Sequence, residues 1–145
     1  MSGVAVLWYR LSHDDDVLAI VPVSRIKAGQ LPLSLTLPAI AITQVSSTPW
    51  MPLSGRTTRR FNTDRVQVSA FVKDQQGNPP GSDYPGLDSL MRRIANACTH
   101  RREVINGITV DSIVPESEGP DIVIPETSIL MRSRDFMVRY YESSS

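Results

Sequence analysis

The sequence predicts an α+β domain: a mainly antiparallel β-sheet packed by one long helix, with short helices at the N-terminus. Three patterns carry that prediction. Residues 65–73 alternate strictly, Val66, Val68, Ala70 and Val72 facing one way and Arg65, Gln67, Ser69 and Lys73 the other, the period of a half-buried strand. Leu87, Leu90, Met91, Ile94, Ala95 and Cys98 recur at helical spacing and form the largest apolar stripe in the chain, which should lie across the sheet. Residues 103–110 place Asn106-Gly107 between β-forming residues, a signal for a hairpin closed by a type I′ turn.

The remaining elements follow in order. Val4, Leu7, Trp8 and Leu11 give residues 3–11 an amphipathic helical face. Ser12 is placed to cap a second short helix, with Asp14, Asp15 and Asp16 in its first turn, where carboxylates complement unpaired amides. Val17, Leu18, Ile20 and Val21 form its apolar side and Pro22 ends it. Leu31, Leu33, Leu35 and Leu37 alternate with Pro, Ser and Thr and read as extended, Pro32 keeping that piece at an edge. Residues 39–46 read as a strand, apolar on both faces at its start.

Residues 47–62 read as a loop carrying Trp50, Met51, Arg56, Arg59 and Arg60. Residues 75–82 are turn-rich. Asp83 and Pro85 then open the long helix as cap and first-turn proline. An acidic, proline-containing loop is expected over residues 115–126. A last strand over 129–141 shifts its apolar register around Arg132–Asp135, the mark of a bulge. Residues 142–145 read as a polar tail. The loop and the tail are expected to be flexible in the unassembled chain.

At 145 residues, the chain is expected to form one domain, residues 1–145, large enough to fold without disulfides. Fifteen basic and fifteen acidic residues cancel, so no overall field draws it to nucleic acid or membrane. The lone Cys98 fits a reducing compartment, and the N-terminus lacks the basic and long apolar regions of a secretory signal. A soluble, intracellularly made protein is expected. Residues 28–55, a run of 28, carry no charge. Pro32, Pro38, Pro49 and Pro52 interrupt this run, so it suits strand and loop buried by neighbours, other copies included, better than a membrane span. Thirteen of the fifteen basic residues are Arg, a bias compatible with interfaces and equally with a GC-rich genome.

The residue pattern carries no recognisable catalytic chemistry. His13 and Asp14–Asp16 are consecutive, and consecutive helical residues diverge by about 100° each, so they cannot converge on one ion. His100 sits among Arg101 and Arg102 with no acidic partner nearby in sequence. Cys98 occupies an apolar helical position and Asp83 and Asp88 flank a helix start, which are structural placements. No nucleophile-elbow, Walker, dinucleotide or Cys-x-x-Cys motif is present. No enzyme activity, metal or cofactor is expected. Arg56, Arg59, Arg60 and Arg65 could touch phosphates, could be a solvated loop, or could order against a neighbouring subunit, with Trp50 as an anchor.

The order of elements also carries a resemblance. A helical N-terminus leads through Arg25-Ile26 to the strand Leu37-Pro-Ala-Ile-Ala-Ile-Thr43. A variable loop then precedes Arg65-Val-Gln-Val-Ser-Ala-Phe71 and the helix of Leu87 to Ala97. The Asn106-Gly107 hairpin, Glu118-Gly-Pro-Asp121 and the closing Arg132-Ser-Arg-Asp-Phe-Met-Val-Arg-Tyr140 complete the pattern. Over nearly its whole length the chain resembles the tail-terminator, or tail-completion, proteins of long-tailed, non-contractile bacteriophages.

The resemblance implies a six-fold ring on the head-proximal end of the tail tube. Such a ring ends tube polymerisation and offers a joining surface to head-completion, or stopper, proteins. DNA passes through the lumen without sequence-specific binding. The implied location is the neck of the virion tail, after assembly in the host cytoplasm. Trp50, Met51, Arg56, Arg59 and Arg60 would then contact a neighbouring subunit or the tube. Glu116, Glu118 and Asp121 would form the complementary acidic surface, because a heterologous ring needs two unlike patches. The rivals are a stopper or connector protein of the same neck, a small DNA-binding module, and an enzyme with an unrecognised site.

Overall fold

The apolar spacing of the first residues produces a helix in the computed structural model, which describes residues 2–29, 36–50, 59–73, 84–99, 102–105, 107–124 and 128–143. Helix α1 (Ser2–Ser12) buries Val4, Val6, Leu7 and Leu11. Ser12 is its last residue, bonded back to the Tyr9 carbonyl. Asp14, not Ser12, caps α2 (Asp15–Leu18), accepting the Val17 amide at 3.0 Å. Ser12 still belongs to α1, so Asp14 stands at the cap position, where its carboxylate also complements the helix dipole. Helix α2 ends before Pro22, which instead leads into a single 3-10 turn, Val23–Arg25.

Strands β1 (Ile26–Ala28), β2 (Ala39–Trp50) and β3 (Arg59–Lys73) follow. After α3 (Tyr84–Cys98) come β4 (Glu103–Ile105), β5 (Ile108–Glu118), β6 (Ile122–Ile124) and β7 (Ile129–Ser143). They form a seven-stranded sheet of order β1-β2-β3-β7-β5-β4, with β6 paired to β7. Among the described residues only β1 and β2 pair in parallel. The fold is α+β, with a sheet that is antiparallel apart from its first pair.

One face of the sheet carries the core. Val66, Val68, Ala70 and Val72 of β3 and Phe136, Val138 and Tyr140 of β7 are buried in one cluster with Leu7, Leu11, Leu87, Leu90, Met91 and Ile94. Each buried Val, Leu, Ile, Met or Phe side chain among them contributes about 1.5–3 kcal/mol. In α3 the stripe includes Ala97, and Ala95 is half-buried. Pro85 is the second residue of α3; Asp83, residues 30–35 and residues 74–82 lie outside the described residues. The hairpin pairs Ile105 with Ile108, and Gly107 takes a φ of +81°, the backbone a type I′ turn requires.

Four expectations are corrected by strand pairing. Residues 47–50 and 59–62 are not loop: β2 and β3 pair from Ser47↔Asp64 to Trp50↔Phe61. Long cross-strand pairing outweighs the polar composition, and Pro49 is tolerated because β2 borders the sheet there. The acidic segment is strand for most of its length, with residues 115–118 in β5 and 122–124 in β6. Strand β7 has no bulge against β3, its register running unbroken from Ile129↔Lys73 to Ser143↔Arg59. The shifts lie in β2, between Gln44 and Ser46, and in β5, between Val110 and Ser112 and between Pro115 and Glu118. The apolar pattern of β7 breaks because an arginine, Arg132, occupies a core-facing position at 6% exposure. Glu142 and Ser143 extend β7 rather than starting a tail.

Gly3 lies in the first turn of α1 against Asp64 of β3. A Cβ there would stand 2.7 Å from both Asp64 Cβ and Oδ2, closer than atoms pack without displacement. Gly3→Ala is expected to lower stability by about 1–3 kcal/mol, read as a shift of the urea midpoint at unchanged slope.

Candidate functional site

The sheet has two dissimilar borders, and the predicted surface residues divide between them. Trp50 ends β2, and Arg59 and Arg60 begin β3, at the distal end of the β2–β3 hairpin. Met51 and Arg56 lie outside the described residues. Glu116 and Glu118 are on β5, and Asp121 is in the turn before β6, on the opposite side of the sheet. One chain therefore does not bring the basic and acidic sets together.

Strands β5 and β6 lie end to end along β7. Between them the Gly119 amide bonds the Ser133 carbonyl at 2.8 Å, so the 119–121 segment remains attached to the sheet. Val114, Ile122 and Val123 are exposed on this border, Val104 on adjoining β4, and Val45 on the β2 border. Most large exposed apolar side chains among the described residues thus lie on the two borders. Arg134 Nε donates to the Glu116 carbonyl at 2.8 Å, fixing the irregular end of β5.

Asp121 already has internal partners. Its carboxylate accepts Arg132 Nε at 2.5 Å and the Tyr84 hydroxyl at 2.5 Å. Arg132 also pairs with Asp88 of α3 through Nη1 and stands over the Tyr84 ring at 5.3 Å. The Arg132 hydrogen bond, with help from Tyr84, holds the Asp121 carboxyl below its ordinary pKa. The same bond, with Asp88, raises the Arg132 pKa against the opposing effect of burial. This cluster anchors the start of α3, β7 and the β5–β6 turn to one another. The sequence offered one signal for it, the broken alternation of β7.

A second polar centre lies just past the segment read as loop, between residue 62 and the strand expected from Arg65. Asp64 is 1% exposed and accepts three hydrogen bonds: the Gly3 amide at 3.0 Å, the Ser47 hydroxyl at 2.5 Å and the Tyr140 hydroxyl at 2.9 Å. The Gly3 amide is one of the donors a helix start leaves unpaired. A β3 carboxylate thus pins α1 to β2, β3 and β7. At the other end of α1, Arg10 Nε donates to the Ala97 carbonyl at the end of α3, and Arg10 Nη1 pairs with Glu103 at 3.1 Å.

Among the described residues, the candidates for catalytic chemistry have structural placements. His13 stacks on Tyr9, with Nδ1 2.8 Å from the Tyr9 carbonyl. Cys98 is fully buried, and burial pushes its thiol pKa up, away from the reactive thiolate. Arg65 of the phosphate-candidate set pairs with Asp135 at 2.7 Å. His100 lies outside the described residues. Among the described residues no helix is long and apolar enough to cross a membrane.

No family model matches the sequence, and no curated protein matches it. Solved structures do match by fold. One is a chain of the virion of a native gene transfer agent (GTA) particle, which superposes with a TM-score of 0.68 at 9% identity and covers 97% of each chain. At that identity the likeness is one of fold, and it extends over the whole α+β domain.

Proposed function

We propose that the chain is a structural virion protein that forms a ring on the head-proximal end of a phage-like tail tube. There it ends tube polymerisation and presents the joining surface for head-completion proteins. The observation that carries this reading is the end-to-end fold likeness to a chain of a gene transfer agent virion, in line with the tail-terminator resemblance of the sequence. Two dissimilar sheet borders support a heterologous, closed assembly, in which one border of each subunit meets the other border of the next. Trp50, Met51, Arg56, Arg59 and Arg60 are assigned to the contact with a neighbour or the tube. Glu116 and Glu118, with Asp121 at the rim of its internal cluster, form the acidic counterpart. The work is mechanical: two faces and a closed symmetry, with DNA passing through the centre.

Native mass spectrometry across a concentration series tests the reading. A discrete species at six times 16.1 kDa is expected. A monomer that binds duplex DNA with a steep salt dependence would instead favour the DNA-binding module. Trp50→Ala is expected to leave the far-ultraviolet circular dichroism and thermal midpoint of the monomer unchanged while reducing the hexamer at least tenfold, a change of about 1.4 kcal/mol or more, as loss of a contact anchor would cost. A loss of the folded monomer would place Trp50 in the core instead.

A further inference from the structure

Among the described residues, both borders of the sheet are covered for only part of their length. Strand β1 pairs β2 at residues 40–42, and β4 pairs β5 at residues 108–110. Beyond those stretches no described strand covers either border, and residues 44–49 of β2 and Val114 and residues 117–118 of β5 are exposed. The register relates the two uncovered stretches. Ser46 pairs Arg65, Arg65 pairs Met137, and Met137 pairs Val114, so Ser46 and Val114 end one row across the sheet at the same height.

The direction of the strands adds a second relation. From β2 through β3 and β7 to β5 every step is antiparallel, so the two border strands run in opposite directions. A second copy shifted sideways along the sheet, without turning over, brings its β2 against this β5 in an antiparallel arrangement. We infer that neighbouring copies of this chain join by that pairing, residues 44–48 of one copy against residues 112–116 of the next, so that the sheet continues across the subunit boundary. This rests on the ring reading and specifies its contact.

Charge selects the unlike pairing. Residues 39–50 carry no charge, whereas β5 carries Asp111, Glu116 and Glu118, and two β5 borders face to face would oppose like charges. Exposed Val45 and Val114 supply apolar surface to the same contact. Border strands present unpaired amides and carbonyls and so template further pairing unless blocked. Pro49 lacks a donor just past residue 48 and bounds the ladder, while Pro115 lacks one within residues 112–116 and leaves one of its bonds unmade.

Disulfide trapping in the full-length chain tests the inference, with buried Cys98 left in place. Directly opposed residues in an antiparallel pair lie about 4.5–5.5 Å apart at Cα, within the range a disulfide spans. Ser46→Cys and Val114→Cys chains are prepared separately, checked for folding by circular dichroism, mixed and oxidised. About half of the chain is expected to become a linked dimer in an equal mixture, since only one in four heterologous contacts then carries both cysteines, with less than a tenth of that yield from either variant alone. Thr48→Cys with Ser112→Cys, the next opposed pair, provides an independent set.

Dimers formed equally well by Ser46→Cys alone would overturn the inference in favour of a symmetric β2–β2 contact. A closed hexamer by native mass with no link from either pair would also overturn it, leaving the ring reading in place. Linked open chains of a double variant without a closed hexamer would support the border pairing and remove the ring. A monomer that forms no links overturns the border pairing together with the self-assembly behind it.

Discussion

Asp64→Ala is expected to lower the unfolding free energy by about 4 kcal/mol, because each buried donor that loses its acceptor costs about 1–3 kcal/mol. The Gly3 amide and the Tyr140 hydroxyl would both be left without the carboxylate, at the meeting point of α1, β3 and β7. Ser47 is exposed, so its hydroxyl returns to water and adds little. Tyr140→Phe removes one donor and leaves the acceptor satisfied by others, so its cost should be nearer 1 kcal/mol. The double variant should lose less than the sum of the singles, because the two changes remove one shared bond. Chemical denaturation of the four proteins measures this cycle. Strict additivity would mean that the Asp64–Tyr140 bond contributes nothing, and a loss below about 1 kcal/mol for Asp64→Ala would mean that α1 is held by its apolar face alone.

The second large effect is at Arg132. Removing one partner of a buried ion pair costs about 3–5 kcal/mol, mostly through the charge left behind. Here Asp88 and Asp121 retain side-chain exposures of 54% and 31%. Water can therefore resolvate them, and Arg132→Met is expected to cost about 2 kcal/mol at neutral pH. The pH dependence identifies the cause. Arg132 and Tyr84 hold the Asp121 pKa below its ordinary value of 3.8. A carboxylate depressed in the folded state contributes stability that is present above the unfolded value and is lost as pH falls through the folded one. The wild-type chain should therefore lose this contribution below about pH 4, the ordinary carboxylate range, and the Met variant should show a shallower acid-side slope. Equal destabilisation at pH 7 and pH 3 would mean that Arg132 acts through packing alone. Hydrogen exchange should quicken at Gly119 and through β6, since the cluster tethers that turn to the sheet.

The two variants also separate folding from assembly. Asp64 and Arg132 act inside the subunit, whereas Trp50, Ser46 and Val114 belong to the proposed contact. A loss of ring from the Asp64 variant should accordingly follow the loss of folded monomer, while Trp50→Ala should remove the ring first.

Local pattern alone determined the α+β class, the apolar face of β3, the stripe of α3, the Gly107 turn and the burial of Cys98. In each case the signal is a period of two or of 3.6, or a backbone angle that few residues adopt, and such signals are complete within one segment. Tertiary structure decided how far β2, β3 and β5 extend, because residues 47–50, 59–62 and 115–118 become strand only by pairing with residues distant in sequence. It likewise decided the role of Arg132. A core-facing cation looks like a register break until Asp88 and Asp121 are brought to it from α3 and the β5–β6 turn. Asp64 was illegible for the same reason: its partners come from α1, β2 and β7, and a carboxylate tolerates burial only where such donors converge. The sequence also held the unlike charges of the two borders, an uncharged β2 and an acidic β5. Only the sheet order and register could show that these borders run antiparallel at one height, since that relation exists between strands and within none of them.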